Sequence, residues 1–267
     1  MSSLDPGTLV EGCVIVTGGG SGIGRAIAER LARCGAPVAV MDVLSDGGKE
    51  TVDVIARAGG RAIFLEGDVS RWADVDATVG AAVQQLGPLG TMVNAAGILD
   101  GYATADEMSP AVWERVIAID LSGTFYGAKR ALGEMLPRGR GRIINIASVA
   151  GLVGDGGGAA YVSAKHGVVG LTKRMATTYA PLGITVNAIC PGPIATGLRP
   201  NSARLLGSDA PPMRGIGGDD AAIRAIVPAG RRGTVEEVAA AAQFLASEAA
   251  GYVTGTTMVV DGGWVAR

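Results

Sequence analysis

Short apolar runs separated by stretches of helical spacing dominate the pattern of this chain. Candidate strands fall at 14–17, 38–42, 62–66, 91–94, 142–147, 185–189 and 256–260. The first six are brief, continuous and apolar, as expected for strands covered on both faces of a parallel sheet. Between them, 25–31, 75–86, 111–136 and 160–180 read as helices; in the last, Ala164, Val168, Leu171 and Met175 make one stripe at intervals of three and four. Alternation of this kind predicts βαβ units. The expected fold class is therefore α/β, a doubly wound parallel sheet in a Rossmann-like three-layer sandwich, with residues 1–267 forming one domain. One stretch breaks the rhythm. Residues 196–227 carry Pro200, Pro211, Pro212 and several glycines among Leu205, Leu206, Met213 and Ile216. An irregular apolar segment just past a strand's C-terminal end reads as a substrate lid, the alternative being a passive surface excursion. Residues 1–8 read as a flexible tail.

Composition narrows the classes. The chain has 267 residues, ample for one large core, and a net charge of −2 from 23 basic and 25 acidic residues. No basic run points to nucleic acid, and no basic amphipathic helix or long apolar span points to a membrane. The start of the chain lacks a signal-peptide pattern. Cys13, Cys34 and Cys190 are odd in number and widely spaced, and His166 is the single histidine. That excludes a Cys/His metal site and favours reduced thiols in a cytoplasmic protein.

The run Thr17-Gly-Gly-Gly-Ser-Gly-Ile-Gly24 supplies the first candidate chemistry. A strand turning on glycines into a helix leaves free N–H groups at the helix's positive end, a seat for a phosphate. By itself a plain strand-to-helix turn explains it equally well. Asp42, at the end of the next strand, can accept from both ribose hydroxyls of an adenosine and would repel a 2′-phosphate, so the reading is NAD over NADP. Arg25 could yet reach such a phosphate. Asp68-Val69 and Asn94-Ala95-Ala96-Gly97 follow the third and fourth strands. Asp68 could accept from an adenine amino group, and the small residues after Asn94 would let a ribose lie against backbone; singly, each is also an ordinary turn.

Ser148, Tyr161 and Lys165 form the sharpest constellation. Ser148 closes a strand at the ligand-binding edge, and Tyr161 and Lys165, four apart, share one helix face. A free phenol titrates near ~10 and is a poor base at neutral pH. An adjacent ammonium and an oxidised nicotinamide would lower that value, so that the phenolate could take an alcohol proton as hydride leaves, Ser148 holding the same oxygen. His166, one step round the helix from Lys165, faces elsewhere and reads as structural.

With these residues in view, the chain resembles a short-chain dehydrogenase/reductase of the ordinary, non-extended type. Thr17-Gly18…Gly22-Ile23-Gly24, Asn94-Ala-Ala-Gly97, Ser148, Tyr161-Val-Ser-Ala-Lys165, Asn187 and Pro191-Gly192 carry the resemblance. It implies that Gly18, Ser21, Gly22, Ile23, Gly24, Asp68, Val69, Asn94, Ala95, Gly97, Tyr161, Pro191 and Gly192 bind the cofactor. It implies further that Asn94 supports the central strand, that Lys165 also binds the nicotinamide ribose, and that Ile194 and Thr196, after Pro191-Gly192, meet the carboxamide. The tail 259–263 resembles the family's closing strand, which commonly packs in a homotetramer. One residue departs from the pattern: Asp120 stands where the family usually has asparagine. Its relatives use that position in a water relay to the lysine. A carboxylate near Lys165 would favour the ammonium and partly cancel its field at Tyr161, altering the pH profile.

The expected activity is NAD-dependent interconversion of a secondary alcohol, hydrophobic or cyclic, and a ketone. Val149, Leu152, Val153, Gly192, Pro193, the lid and the rim 154–158 would shape the pocket, and no arginine cluster lies among them. A 3-oxoacyl-thioester reductase is the alternative within enzymes, and Asp42 speaks against its usual NADP. A cofactor-binding regulator with weakened catalysis is the alternative outside them, supported by Asp120 alone.

Overall fold

The computed structural model describes residues 9, 11–215 and 220–266. The expected tail, residues 1–8, lies outside the described residues, as do 216–219 of the expected lid. Seven strands form a single parallel sheet: β1 Cys13–Thr17, β2 Val38–Asp42, β3 Ala62–Glu66, β4 Leu89–Asn94, β5 Gly141–Ile146, β6 Ile184–Pro191 and β7 Thr257–Val260. Their order is β3-β2-β1-β4-β5-β6-β7, so the direction of winding reverses between β1 and β4. In open α/β sheets ligands settle at such a reversal, beyond the strands' C-terminal ends.

Alternate residues of each strand face opposite layers, which is why the runs read as continuously apolar. Val14 and Val16 of β1, with Val38 and Val40 of β2, pack under α1 (Gly22–Arg33), α2 (Ser45–Arg57) and α9 (Val235–Ala246). Cys13, Ile15 and Ala39 face α3 (Trp72–Leu86), α5 (Gly123–Met135) and α6 (Ala159–Tyr179). Each fully buried Val or Ile contributes about 1.5–3 kcal/mol relative to exposure. Asn94 donates to Asn145 at 2.9 Å, and Asn145 donates to Thr172 of α6 at 2.9 Å, a buried polar chain tying β4 to β5 and to the helix behind them.

Two expectations change. The stretch 111–136 is not one helix: α4 (Pro110–Val116) runs into a π-helical turn at Ile117–Ser122 before α5. The wide turn inserts a residue into the i→i−4 ladder, which apolar spacing alone does not register. Asp120 sits in that turn, its main-chain carbonyl accepting from Thr124 Oγ1 at 2.8 Å. Nor is 196–227 irregular throughout, since it contains α7 (Leu198–Leu206) and α8 (Asp220–Ile226). The buried Ser202 docks α7 by accepting from the Leu99 amide at 2.8 Å.

Candidate active site

The loops beyond β1, β2, β3, β4, β5 and β6 enclose one groove. Its first wall is the glycine turn. Gly18 has φ +64°, and a Cβ there would lie 2.7 Å from the Ala96 backbone, so only glycine lets the turn close on the loop after β4. Ser21, the N-cap of α1, makes no capping bond; its hydroxyl accepts from Asn201 at 3.1 Å instead. The first N–H groups of α1, from Gly22, Ile23 and Gly24, therefore border the groove without a side-chain cap, a fit for a pyrophosphate.

Asp42 lines the groove beside them. One carboxylate oxygen accepts from Gly20 N at 2.8 Å and the other from Leu44 N at 2.9 Å, which fixes the side chain and leaves each oxygen further lone-pair capacity. Arg25 turns away: it donates to the Gly20 carbonyl at 2.7 Å and pairs with Glu50 at 2.7 Å, outside the groove. Asp68 and Val69 also line it. Asp68 is held by Ser70 and by Arg115, whose guanidinium lies 3.0 Å away. Burial works against its ionisation, but those bonds keep its carboxyl below the ordinary range. Ala95 and Gly97 border the groove, but Asn94, expected to bind the cofactor, does not: its side chain is used beneath it, in the polar chain between strands.

Further along are Ser148, Tyr161 and Lys165, followed by Pro191, Gly192, Ile194 and Thr196. Ser148 and Tyr161 line the groove together, and the Ser148 hydroxyl favours the Tyr161 phenolate. The Lys165 Nζ sits 5.3 Å from the centre of the Tyr161 ring and donates to the Ile146 carbonyl at 3.2 Å. Its counter-ion is Asp120, whose Oδ2 lies 3.1 Å from Nζ while Oδ1 accepts from Ile98 N at 2.9 Å. Lys165 and Asp120 are both buried. Burial works against both charges: it raises the Asp120 carboxyl in spite of Lys165 and Ile98 N, and it opposes the ammonium, but Asp120 and Tyr161 together hold Lys165 above its ordinary value. The expected lowering of the Tyr161 phenol is not what the protein's own groups produce. Burial pushes it up, and the pull of Lys165 and Ser148 is opposed by the Asp120 charge, so the phenol stands above its ordinary value. His166 is exposed and contacts the Val162 carbonyl at 2.9 Å.

Two features escaped the sequence reading. Asp100, fully buried, accepts from Gly158 N and Tyr161 N, both at 2.8 Å, and from Tyr102 N at 3.2 Å. Gly158, the N-cap of α6, has no side chain, so a carboxylate from the loop after β4 caps the helix that carries Tyr161 and Lys165. The lack of Ser, Thr or Asp just before residue 159 was the available signal. Beside the groove, sharing Ser148 and Tyr161 with it, lies a second cavity of about 390 Å³. Val149, Pro193 and, from the lid, Leu198 give it apolar walls as expected, Leu99 adds another, the expected Leu152 and Val153 do not border it, and Trp264 lines it as well. Arg199 and Arg232 also border it, so the view of the pocket as free of an arginine cluster is corrected. Both lie in loop or lid sequence where spacing does not reveal which way a residue faces.

A family model described as enoyl-(acyl carrier protein) reductase matches residues 18–265. A 2-(S)-hydroxypropyl-CoM dehydrogenase of Xanthobacter autotrophicus is 41% identical over 95% of this chain and 96% of its own length. A cis-4-hydroxycyclohexanecarboxylate dehydrogenase of Sinomonas cyclohexanicum is 39% identical over 96% and 97%. Among solved structures, a proposed NAD(P)-dependent gluconate 5-dehydrogenase from Beutenbergia cavernae, with NADP bound at low occupancy, is 38% identical, with a TM-score of 0.86 over 98% of this chain and 100% of its own. The chain belongs to the short-chain dehydrogenase/reductase family, whose members use a nicotinamide dinucleotide.

Proposed function

We propose that the protein is an NAD-dependent oxidoreductase that interconverts a secondary alcohol, hydrophobic or cyclic, and a ketone. The observation that carries this reading is that Ser148 and Tyr161 border both the dinucleotide groove and the separate cavity, so they stand where cofactor and substrate would meet. The nicotinamide supplies the hydride acceptor when bound. Tyr161, backed by the Lys165 ammonium, takes the alcohol proton as its phenolate; Ser148 donates to the substrate oxygen and orients it. A positive nicotinamide ring beside Tyr161 opposes the upward push of burial. Gly18, Ser21, Gly22, Ile23 and Gly24 cradle the pyrophosphate, and Asp42 takes the adenosine ribose. Asp68 and Val69 border the adenine, Ala95 and Gly97 the ribose, and Ile194 and Thr196 the carboxamide, with Pro191 and Gly192 shaping that end.

NAD is favoured over NADP by the Asp42 carboxylate and by Arg25 being engaged with Glu50. The cyclic substrate draws support from the relative named for cis-4-hydroxycyclohexanecarboxylate. Residues 196–227 serve as the lid. A homotetramer is supported by the exposed Trp113, Phe125 and Val259 on α4, α5 and β7. A cytoplasmic setting is supported by the unpaired cysteines, of which Cys13 and Cys190 are pushed up to about 11 by burial and so are unreactive thiols. Purified protein offered NAD and NADP with a panel of secondary alcohols tests the reading. NADH formation with at least one cyclic alcohol, faster than NADPH formation, is expected. Cofactor binding without turnover of any alcohol or ketone would instead make it a binding protein.

A further inference from the structure

The glycine-rich rim 154–158 and the last turn of the described chain meet at the cavity beside Tyr161. Two rings lie against the rim. A Cβ at Gly157 would fall 2.5 Å from Cδ1 of Tyr161, and one at Gly156, where φ is +98°, would fall 3.4 Å from Cη2 of Trp264. The backbone of Trp264 is fastened elsewhere. Gly192 N, at the end of β6, donates to the Val260 carbonyl at 3.0 Å, and the next residue, Asp261, holds the turn that follows. Its Oδ1 accepts from Gly263 N and its Oδ2 from Val265 N, both at 2.8 Å, while its carbonyl accepts from Trp264 N at 3.4 Å. Ala229 N donates to the Gly262 carbonyl at 3.0 Å, which ties the same turn to the chain just past the lid. The indole therefore runs from the end of β6 to the rim. Gly192, Gly156 and Trp264 itself all border the cavity.

Core packing does not account for that ring. Trp264 is half-buried and, among the described residues, joins none of the buried apolar clusters. It borders the cavity but not the dinucleotide groove, whereas Ser148 and Tyr161 border both. A substrate with its oxygen at Ser148 and Tyr161 would meet the indole with a part of its skeleton remote from the cofactor. An indole offers a large apolar surface at little conformational cost, and covering it with a ring removes that surface from water. A wall held by the Asp261 turn also sets a size limit, because it cannot step aside for bulk without giving up those bonds. Resting on the dehydrogenase reading above, we propose that Trp264 is a specificity-determining residue: the ring of a cyclic alcohol packs against its indole, which limits bulk on the ring carbon opposite the carbinol.

The test compares cyclohexanol with 4-tert-butylcyclohexanol, which keeps the ring and carbinol and adds bulk on the opposite carbon. Initial rates with NAD give kcat/KM for both alcohols in the parent, Trp264→Phe and Trp264→Ala. The ratio of bulky to plain alcohol is expected to rise at least about tenfold in Trp264→Ala and less in Trp264→Phe, mainly through KM. The KM for NAD should stay as it is, since the indole lies outside the dinucleotide groove. A smaller rise or a fall in the ratio overturns the inference, and so does a matching rise in the KM for NAD; turnover of either alcohol leaves the dehydrogenase reading intact. A second measurement keeps Trp264 in place. Trp72 and Trp113, the other two tryptophans, are exposed and outside both groove and cavity, so the Trp72→Phe, Trp113→Phe double variant leaves a single indole. Cyclohexanone titrated onto the NAD-loaded double variant should change its emission saturably. If Trp264→Ala does not fold, or if the parent oxidises neither alcohol and the dehydrogenase reading falls, this titration decides. A saturable change upholds the indole as a wall of the cavity, and no change overturns it.

Discussion

Replacing Asp120 by asparagine removes one buried negative charge from the site and should move the pH profile of alcohol oxidation downwards. The carboxylate lies 3.1 Å from Lys165 Nζ, and that nitrogen lies 5.3 Å from the Tyr161 ring centre, so the charge is within about 8 Å of the phenol by that route. At an effective dielectric of ~20, unit charges that far apart interact by about 2 kcal/mol, equivalent to about 1.5 pH units. The sign follows from the parent: the Asp120 charge opposes formation of the Tyr161 phenolate, and its loss leaves the Lys165 field less cancelled. Lys165 loses the carboxylate that offsets its burial, but a phenolate formed at Tyr161 itself favours the ammonium. The phenolate then forms at lower pH, and the rising limb of kcat/KM against pH should shift down by about one unit. The assay is initial-rate oxidation of one alcohol at saturating NAD across pH, parent against variant, with urea unfolding to show that both are folded. Ile98 N and Lys165 face different oxygens of Asp120, and in asparagine one of these becomes an NH2 donor, so some loss of stability is expected. Superimposable profiles, or a shift to higher pH, would refute the reasoning.

Removing the carboxylate at Asp100 should loosen the catalytic helix at its start. Asp100→Ala leaves the amides of Gly158, Tyr161 and Tyr102 without their acceptor, costing at least about 2 kcal/mol in urea unfolding and lowering kcat more than it raises KM, while Asp100→Asn restores part of both. At the other end of the groove, Asp42→Ala should raise the NADP-to-NAD ratio of kcat/KM by about tenfold or more, since the repulsion of a 2′-phosphate goes with the carboxylate; steady-state rates with both cofactors check it.

The fold was legible because the sheet is parallel and covered on both sides. Runs such as 38–42 and 62–66 are apolar up to the acidic residue that ends each, and the strands found there have those bounds. The stretch 111–136 was harder, because a π turn keeps apolar residues in helical company while shifting their faces, and Asp120 owes its contact with Lys165 to that turn. Ser148, Tyr161 and Lys165 could be read from local spacing. Asp100, Arg199 and Arg232 could not, since each acts across the chain from a loop or a short helix, where no periodicity tells the direction of a side chain. Asp100 sits in an Asp-Gly pair that reads as a plain turn, although a 21-residue helix without a local cap needed an acceptor from elsewhere. The direction of the Tyr161 shift was also out of reach, because it depends on burial, and spacing reports neighbours rather than solvent.

The central claim is that Tyr161 serves as the proton acceptor in a groove that binds the cofactor independently of it. Its most direct test is Tyr161→Phe, measured for NAD-linked turnover of an alcohol that the parent oxidises and, separately, for NADH binding by fluorescence. The account predicts a loss of kcat of about 10²–10⁴-fold with cofactor affinity within about threefold of the parent. A variant that keeps its kcat to within a fewfold would contradict it.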